Sequence, residues 1–302
     1  MLSCSQYLYT LLYERGVADF GAMRSEYVLD LVFVNTSPLY IGSGRGGDVL
    51  GSSVDLSVIE GSVYVNGVVY QGPIIPGSSL KGVLRALAES IALGLGEDWL
   101  VFEAPLPSKE GGAYRCRCTG EGLSDVEKWL SREGDCSDPS VREIVDKYFD
   151  SCFASPVVRL FGSPWLASHV VVYDAYPADG ERPRTDVVTR VAIDRLTGAQ
   201  RPNMLYTIEA VRAGVKWLAR LRVINIDLVG ESREARLLRL LLRFLEQVGI
   251  HVGGRTSIGH GYLRLLVDES RARRYSLDPE TGLRAEELPL RELLSVRTGS
   301  ER

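Results

Sequence analysis

Apolar and polar positions alternate in two distinct rhythms along this chain. From Glu26 to Asn35 (EYVLDLVFVN) apolar and β-branched residues run nearly unbroken until Thr36-Ser37-Pro38, which predicts a buried strand. Ser62–Val65 and Val68–Tyr70 flank Asn66-Gly67, a two-residue hairpin signal. Leu80, Val83, Leu84, Leu87, Ile91 and Leu95 then recur at helical spacing, with Ser78 or Ser79 placed to cap the helix they predict. His169–Tyr173 and the alternating Gly214–Asp227 predict two further strands. Arg233–Val248 (REARLLRLLLRFLEQV) predicts an amphipathic helix, and Tyr262–Val267 a closing strand.

That order, strand-helix-strand-strand-helix-strand, is the split βαβ arrangement, an α+β, ferredoxin-like (RRM-like) palm. We expect one domain over residues 1–302, preceded by a helical arm and interrupted by large insertions. Residues 94–155 lose the regular pattern, hold four of the five cysteines and include one internal helix at Ser124–Arg132. Residues 178–213 predict a second, hairpin-like insertion. Residues 268–302 are charged and are expected to form a peripheral tail.

Composition narrows the class. With 45% hydrophobic and 25% charged residues the 302-residue chain can bury a core, which excludes a disordered or collagen-like chain. The net charge of −4 excludes a generic polycationic nucleic-acid binder, although a local basic groove is compatible with it. Five lysines leave 30 arginines among the 35 basic residues, and arginine's planar fork suits phosphate and carboxylate. The longest uncharged stretch, Gly61–Leu80, is broken by Pro73, Pro76 and four glycines, so no membrane partner is expected. The N-terminus lacks the charged flank of a signal peptide, and an odd cysteine count does not suggest a secreted scaffold; the expected location is the cytoplasm.

Candidate chemistry sits in small-residue loops. The start of the helix at Ser78 and Ser79, with Lys81 and Arg85 four residues apart, offers backbone amides and counter-charge to an anion; a plain cap with solvated cations is the alternative. Gly253-Gly-Arg-Thr-Ser-Ile-Gly-His-Gly261 offers consecutive amides for an anion nest, or a tight turn needing positive φ. Asp48 and Asp55 lie in the glycine-dense loop after the first strand, where an aspartate can serve chemistry or simply shape a turn. Cys116, Cys118, Cys136 and Cys152 satisfy the donor count of a closed zinc site, or are partly buried thiols.

Ile75-Pro-Gly-Ser-Ser-Leu-Lys-Gly-Val-Leu-Arg85 resembles a signature of the RAMP superfamily, the repeat-associated proteins of CRISPR systems. Arg159-Leu-Phe-Gly162 followed by Asp174-Ala-Tyr-Pro177, and the 253–261 loop after the last long helix, agree with it in order. Ala192-Ile-Asp-Arg-Leu-Thr-Gly198 with Leu205-Tyr and Glu209 is similar to the thumb of the backbone subunit of type III effector complexes.

The resemblance implies a backbone subunit that binds CRISPR guide RNA alongside other subunits, including copies or paralogues of itself. It implies divalent-metal-dependent cleavage of target RNA, with Mg²⁺ or another divalent cation, at Asp55 of Val54-Asp55; Asp48 matches less well. It implies RNA contacts at Arg45, Ser78, Ser79, Lys81, Arg85, Gly253, Gly254, Arg255, Thr256 and Ser257, base-wedging apolar residues among Ile193, Leu196, Met204 and Leu205, and structural Zn²⁺ in the first insertion. Three other readings stand beside it: a non-catalytic scaffold of the same complex, a stand-alone guide-processing endoribonuclease, and an unrelated metal-stapled protein-binding module. With three histidines, His169, His251 and His260, a histidine-pair ribonuclease is poorly supported.

Overall fold

A computed structural model describes residues 3–15, 20–42, 55–65, 67–95, 101–105, 113–117, 135–153, 155–163 and 166–295, with the backbone alone for 101–105, 113–117 and 201–204. The central strand is β1 (Ser25–Asn35), where alternation aims Tyr27, Leu29, Leu31 and Phe33 into the core. A hairpin of β2 (Glu60–Val65) and β3 (Val68–Pro73) leads into helix α2 (Gly77–Gly94). After short strands β4 (Val101–Pro105) and β5 (Ala113–Arg117) come helices α3 (Pro139–Tyr148) and α4 (Pro156–Phe161). Strands β6 (Val170–Val172) and β7 (Tyr176–Pro177) precede a long hairpin, β8 (Thr185–Ile193) and β9 (Gln200–Val211). Strand β10 (Lys216–Ile224), helix α5 (Arg233–Gln247), and strands β11 (Ile250–His251) and β12 (Tyr262–Leu265) complete the repeat.

The sheet runs β11-β12-β1-β10-β6, antiparallel at each junction. With α2 and α5 as the two crossovers, this is the order of a ferredoxin-like palm, as the sequence pattern predicts. The helices cover one face, since Leu80, Leu84 and Ala88 of α2 and Leu238, Leu241 and Leu245 of α5 share a buried cluster with the inward residues of β1. Ser232 caps α5 by accepting from the Ala235 amide. Opposite lies a trough of about 650 Å³, floored by Arg220, Arg222 and Arg273 with Tyr173, Tyr176 and Tyr275 along it. Its arginines are balanced by carboxylates: Arg220 and Arg273 bind Asp30, and Arg222 binds Glu26.

Two expectations are corrected, one about the C-terminal segment and one about the first insertion. The segment after Asp268 is not peripheral. Strand β13 (Arg271–Asp278) pairs with β1 over Ser25–Asp30, β14 (Gly282–Pro289) pairs with β13, and helix α6 (Leu290–Ser295) buries Leu290, Leu293 and Leu294 in the main core. The charges that suggested a tail fall on the outer face of this hairpin, where alternation leaves Ala272 buried beside them.

The first insertion also has a core. Leu8, Leu11 and Leu12 of helix α1 (Cys4–Glu14) pack with Ile144, Val145, Tyr148, Phe149 and Phe153. Cys4 forms a disulfide with Cys136, and Cys152 is also disulfide-bonded. A disulfide sulfur is not the thiolate that zinc requires. The four-cysteine set expected from the sequence therefore does not fit Zn²⁺ in this arrangement, and Cys4, outside that set, is the disulfide partner of Cys136. Cys118, the side chain of Cys116 and the helix expected at Ser124–Arg132 lie outside the described residues.

Asn35 fixes where the long hairpin leaves the palm. It is fully buried, and its Nδ2 donates to the carbonyls of Ser37 (2.9 Å) and Arg212 (2.8 Å). Its Oδ1 accepts from the Val215 amide (3.0 Å) and Trp217 Nε1 (3.1 Å). One amide side chain thus ties together the end of β1, the foot of β9 and the start of β10.

Candidate nucleic-acid interface

The expected loops divide into two groups, one committed to the fold and one presented to solvent. The start of α2 belongs to the first. Pro76 is the N-cap residue and makes no side-chain cap bond, so neither Ser78 nor Ser79 caps the helix. Instead the Gly77 amide donates to Asp174 Oδ1 at 2.7 Å. A carboxylate already sits where an anion was expected, held by the positive end of the helix. Gly77 is required there, because a Cβ would lie 2.4 Å from the Val172 carbonyl oxygen.

Lys81 and Arg85 are spent in the same way. Lys81 Nζ donates to Ser168 Oγ at 2.7 Å, and burial, then Arg85, holds its pKa below the ordinary lysine range. Arg85 pairs with Glu89 and reaches the Gly162 carbonyl. These bonds clamp α2 to the chain beside α4, so neither cation is the freely solvated one that the sequence also allows, at positions where the family resemblance implies RNA contact. Ser78 remains exposed on the first turn.

The second group surrounds the foot of the β8–β9 hairpin. Gly253 and Gly261 both have positive φ, and a Cβ on either would strike a carbonyl oxygen, that of Tyr40 at 2.2 Å or of Val252 at 2.0 Å. The loop therefore lies flush against the segment after β1, where the Gly254 amide donates to the Tyr40 carbonyl and the Gly261 amide to the Pro38 carbonyl. Thr256 and Ser257 form an exposed 3-10 turn between Arg255 and Gly259, both left-handed. Arg255 is exposed, with its guanidinium 5.1 Å from the centre of the Tyr206 ring on β9.

Asp55 joins the same hairpin from the other side. The Thr207 amide (2.7 Å) and hydroxyl (2.9 Å) both donate to Asp55 Oδ2, while the Asp55 amide donates to Thr207 Oγ1 (2.9 Å). These bonds hold the exposed carboxyl below the usual carboxylate range, so it is ionised at neutral pH. Leu56 continues the contact as an added bridge to Ile208. Arg45 and Asp48 lie outside the described residues. Among the described residues no three His, Cys, Asp or Glu side chains converge to hold a metal, so Asp55 is not part of a protein-built cation cage there.

Some arginines of the chain are taken up by carboxylates and others are not. Arg212 is neutralised by Asp186, Arg182 by Glu60 and Arg159 by Glu234. Arg190 on β8 and Arg255, like Arg184 and Arg195 of the same region, have no carboxylate partner among the described residues, and His260 lies between Arg190 and Arg255, close to both. Beyond the foot the hairpin projects Val191, Ile193 and Leu205 to solvent, and Leu196 at its tip is 97% exposed. The side chain of Met204 lies outside the described residues. The sequence reading met Tyr206 only inside the thumb match, gave it no role, and missed Arg190 and Thr207. Alternation along β8 places Asp186, Val188 and Arg190 on one face, but only the observed register, Arg190 opposite Tyr206, brings that face to the glycine loop.

No curated protein sequence matches this chain. Among solved structures it is similar to a chain from a "Type IV-B CRISPR Complex", with 19% identity, a TM-score of 0.47, and coverage of 79% of this chain and 89% of that one. The family description "RAMP superfamily" matches residues 33–264, from within β1 to within β12. That span takes in the split βαβ repeat, the long hairpin and the glycine loop, and the chain belongs to the RAMP superfamily.

Proposed function

We propose that this chain is a guide-RNA-binding backbone subunit of a CRISPR ribonucleoprotein, assembled with further subunits and holding RNA at the foot of the β8–β9 hairpin. The observation that supports it most directly is the pair of uncompensated arginines, Arg190 and Arg255, at an exposed glycine loop on a chain of net charge −4. Arg255 and the Tyr206 ring give a cation beside a π-face, the combination that holds a ribose-phosphate strand and a splayed base.

The test is RNA binding by the full chain, alone and assembled with its partners, at several salt concentrations. Replacing Arg255 with Ala should weaken binding and lower the slope of log K against log salt by about 0.7, the value for one lost phosphate contact on a single strand. An assembled, folded complex that retains no CRISPR transcript at low ionic strength would overturn the reading.

A second, finer reading adds cleavage of target RNA at Asp55, as in type III complexes. Its support is an exposed, ionised carboxylate fixed at the hairpin foot. A carboxyl of depressed pKa is a weak proton acceptor, so the role that suits Asp55 is to accept a hydrogen bond from the ribose 2′-hydroxyl and orient it. Asp55→Ala in the assembled complex separates the readings. Lost cleavage of labelled complementary RNA supports catalysis, and unchanged behaviour leaves a scaffold whose aspartate serves only to clamp Thr207. Precursor cleavage by the isolated chain would favour the guide-processing alternative instead.

A further inference from the structure

One border of the sheet has no neighbour. Strand β14, eight residues long, pairs with β13 from Gly282 to Pro289 without a bulge, and with no other described strand. Gly282 to Glu287 are all exposed, Leu283 to 62%. The outer backbone groups of β14 therefore face solvent as far as Pro289, which lacks an N–H. A bulge, a covering segment or charge of one sign keeps such edges apart. Among the described residues β14 has no bulge and no cover, and its charges, on Arg284, Glu286 and Glu287, are of both signs.

Neither Arg284 nor Glu286 forms an ion pair with a described residue. Arg284 stands opposite Ser276 on β13, and nearby Asp278 feels its charge, yet the Asp278 carboxylate accepts from the Glu280 and Thr281 amides. Glu286 stands opposite Arg274, whose guanidinium lies 3.7 Å from Asp227 and beside the Tyr27 ring. Hydrogen-bonding groups point alternately to the two sides of a strand, so two antiparallel copies related by a two-fold axis set one residue opposite itself. Centring on Arg284 sets arginine on arginine, and centring on Glu286 or Glu287 sets glutamate on glutamate, each a like-charge clash. Centring nearer either end of the strand shortens the overlap and matches no opposite charges within it. Centring on Ala285 sets Arg284 opposite the partner's Glu286 and, by symmetry, Glu286 opposite the partner's Arg284. The same register overlaps the edge from Gly282 to Leu288 and lays Leu283 across from the methylene stem of the partner's Glu287.

We propose that β14 is a self-pairing edge: a second copy of this chain docks on it antiparallel, centred on Ala285, and joins two sheets across a two-fold axis. Each copy offers the same patch to the other, so the contact closes at two copies. It goes beyond the RNA-binding reading and shares no residue with it. β13 meets β1 along Ser25–Asp30, whereas the foot of the long hairpin is tied to β1 at Asn35.

The experiment is analytical ultracentrifugation of the full chain, from dilute to near-millimolar concentration and at low and high salt. The expected result is a monomer–dimer equilibrium with no larger species, weakened by salt. Arg284→Glu and Glu286→Arg, both at exposed positions, should each loosen the dimer about tenfold, since each turns two attractive pairs into two repulsive ones. An equimolar mixture of the two variants should dimerise about as tightly as the wild type, because every opposed pair in the mixed dimer again carries opposite signs. The double variant Arg284→Glu/Glu286→Arg should restore the dimer within one chain. Restoration supports the register and shows that the variants fold. A chain that stays monomeric throughout overturns the proposal and leaves the edge to solvent or to a strand of a different protein. Association that ignores both substitutions, or that neither the mixture nor the double variant restores, overturns it as well.

Discussion

Asn35 is the point at which one substitution separates the palm from the hairpin that carries the interface. Asn35→Ala removes four hydrogen bonds made by a fully buried side chain: two donated to the carbonyls of Ser37 and Arg212, and two accepted from the Val215 amide and Trp217 Nε1. At about 1 kcal/mol net per bond, the loss is about 4 kcal/mol. The orphaned Trp217 indole argues against a smaller value, because Trp217 is itself fully buried and has no water to turn to. For a chain of this size about 4 kcal/mol corresponds to a fall in Tm of roughly 6 °C. Urea unfolding followed by tryptophan fluorescence reads the change directly. RNA affinity should fall with it, because Arg212 anchors the same hairpin foot. A loss under about 1 kcal/mol in a variant with unchanged m-value would refute the claim that Asn35 holds this junction.

Other expectations follow from the same geometry. Gly253→Ala places a Cβ 2.2 Å from the Tyr40 carbonyl, whereas Gly259→Ala meets nothing within 4 Å and bears only the cost of its positive φ, about 1–2 kcal/mol; the first variant should be the less stable by thermal melting, and equal losses would sink the packing described for the loop. The Asp55 carboxyl should titrate below the ordinary carboxylate value by NMR, and Thr207→Val should move it back up; because its folded pKa is depressed, the clamp is intact from neutrality down to the acid range and weakens only as the carboxyl protonates there. Cys4→Ser opens a loop of 132 residues, for which the chain-entropy limit is about 5 kcal/mol, so the variant should melt lower than the wild-type chain in the absence of reductant, and reductant should lower the variant's melting point less than the wild type's because one disulfide fewer is left to break. Truncation before Arg271 should yield an aggregating product by light scattering, since it strips one edge of β1 and uncovers the core beneath α6.

The palm was legible because burial follows period. β1, α2, β10 and α5 each carry their apolar residues at the spacing of their element, and each forms within a few residues of the expected bounds. The start of α2 was harder. Nothing local in Pro-Gly-Ser-Ser tells that Asp174, 97 positions away, supplies the carboxylate at Gly77. Lys81 and Arg85 read as free cations for the same reason, since Ser168 and Gly162 reach them through tertiary packing. The C-terminal strands were hidden by charge: Arg273 and Arg274 look solvated until Asp30 and Tyr27 are placed beside them. Arg190 and Thr207 were invisible because only strand register gives a hairpin residue its neighbour.

The pairing of β1 with β13 bears on how the molecule is made. Asp30 and Arg273 are 243 positions apart, so at ordinary translation speeds roughly 12–50 s pass between the synthesis of one and of the other. Throughout that interval a strongly apolar strand waits with one border open. The carboxylate of Asp30 on that strand is the kind of charge that disfavours pairing with a second nascent copy, and its partner on β13, Arg273, is among the last residues of the sheet to emerge.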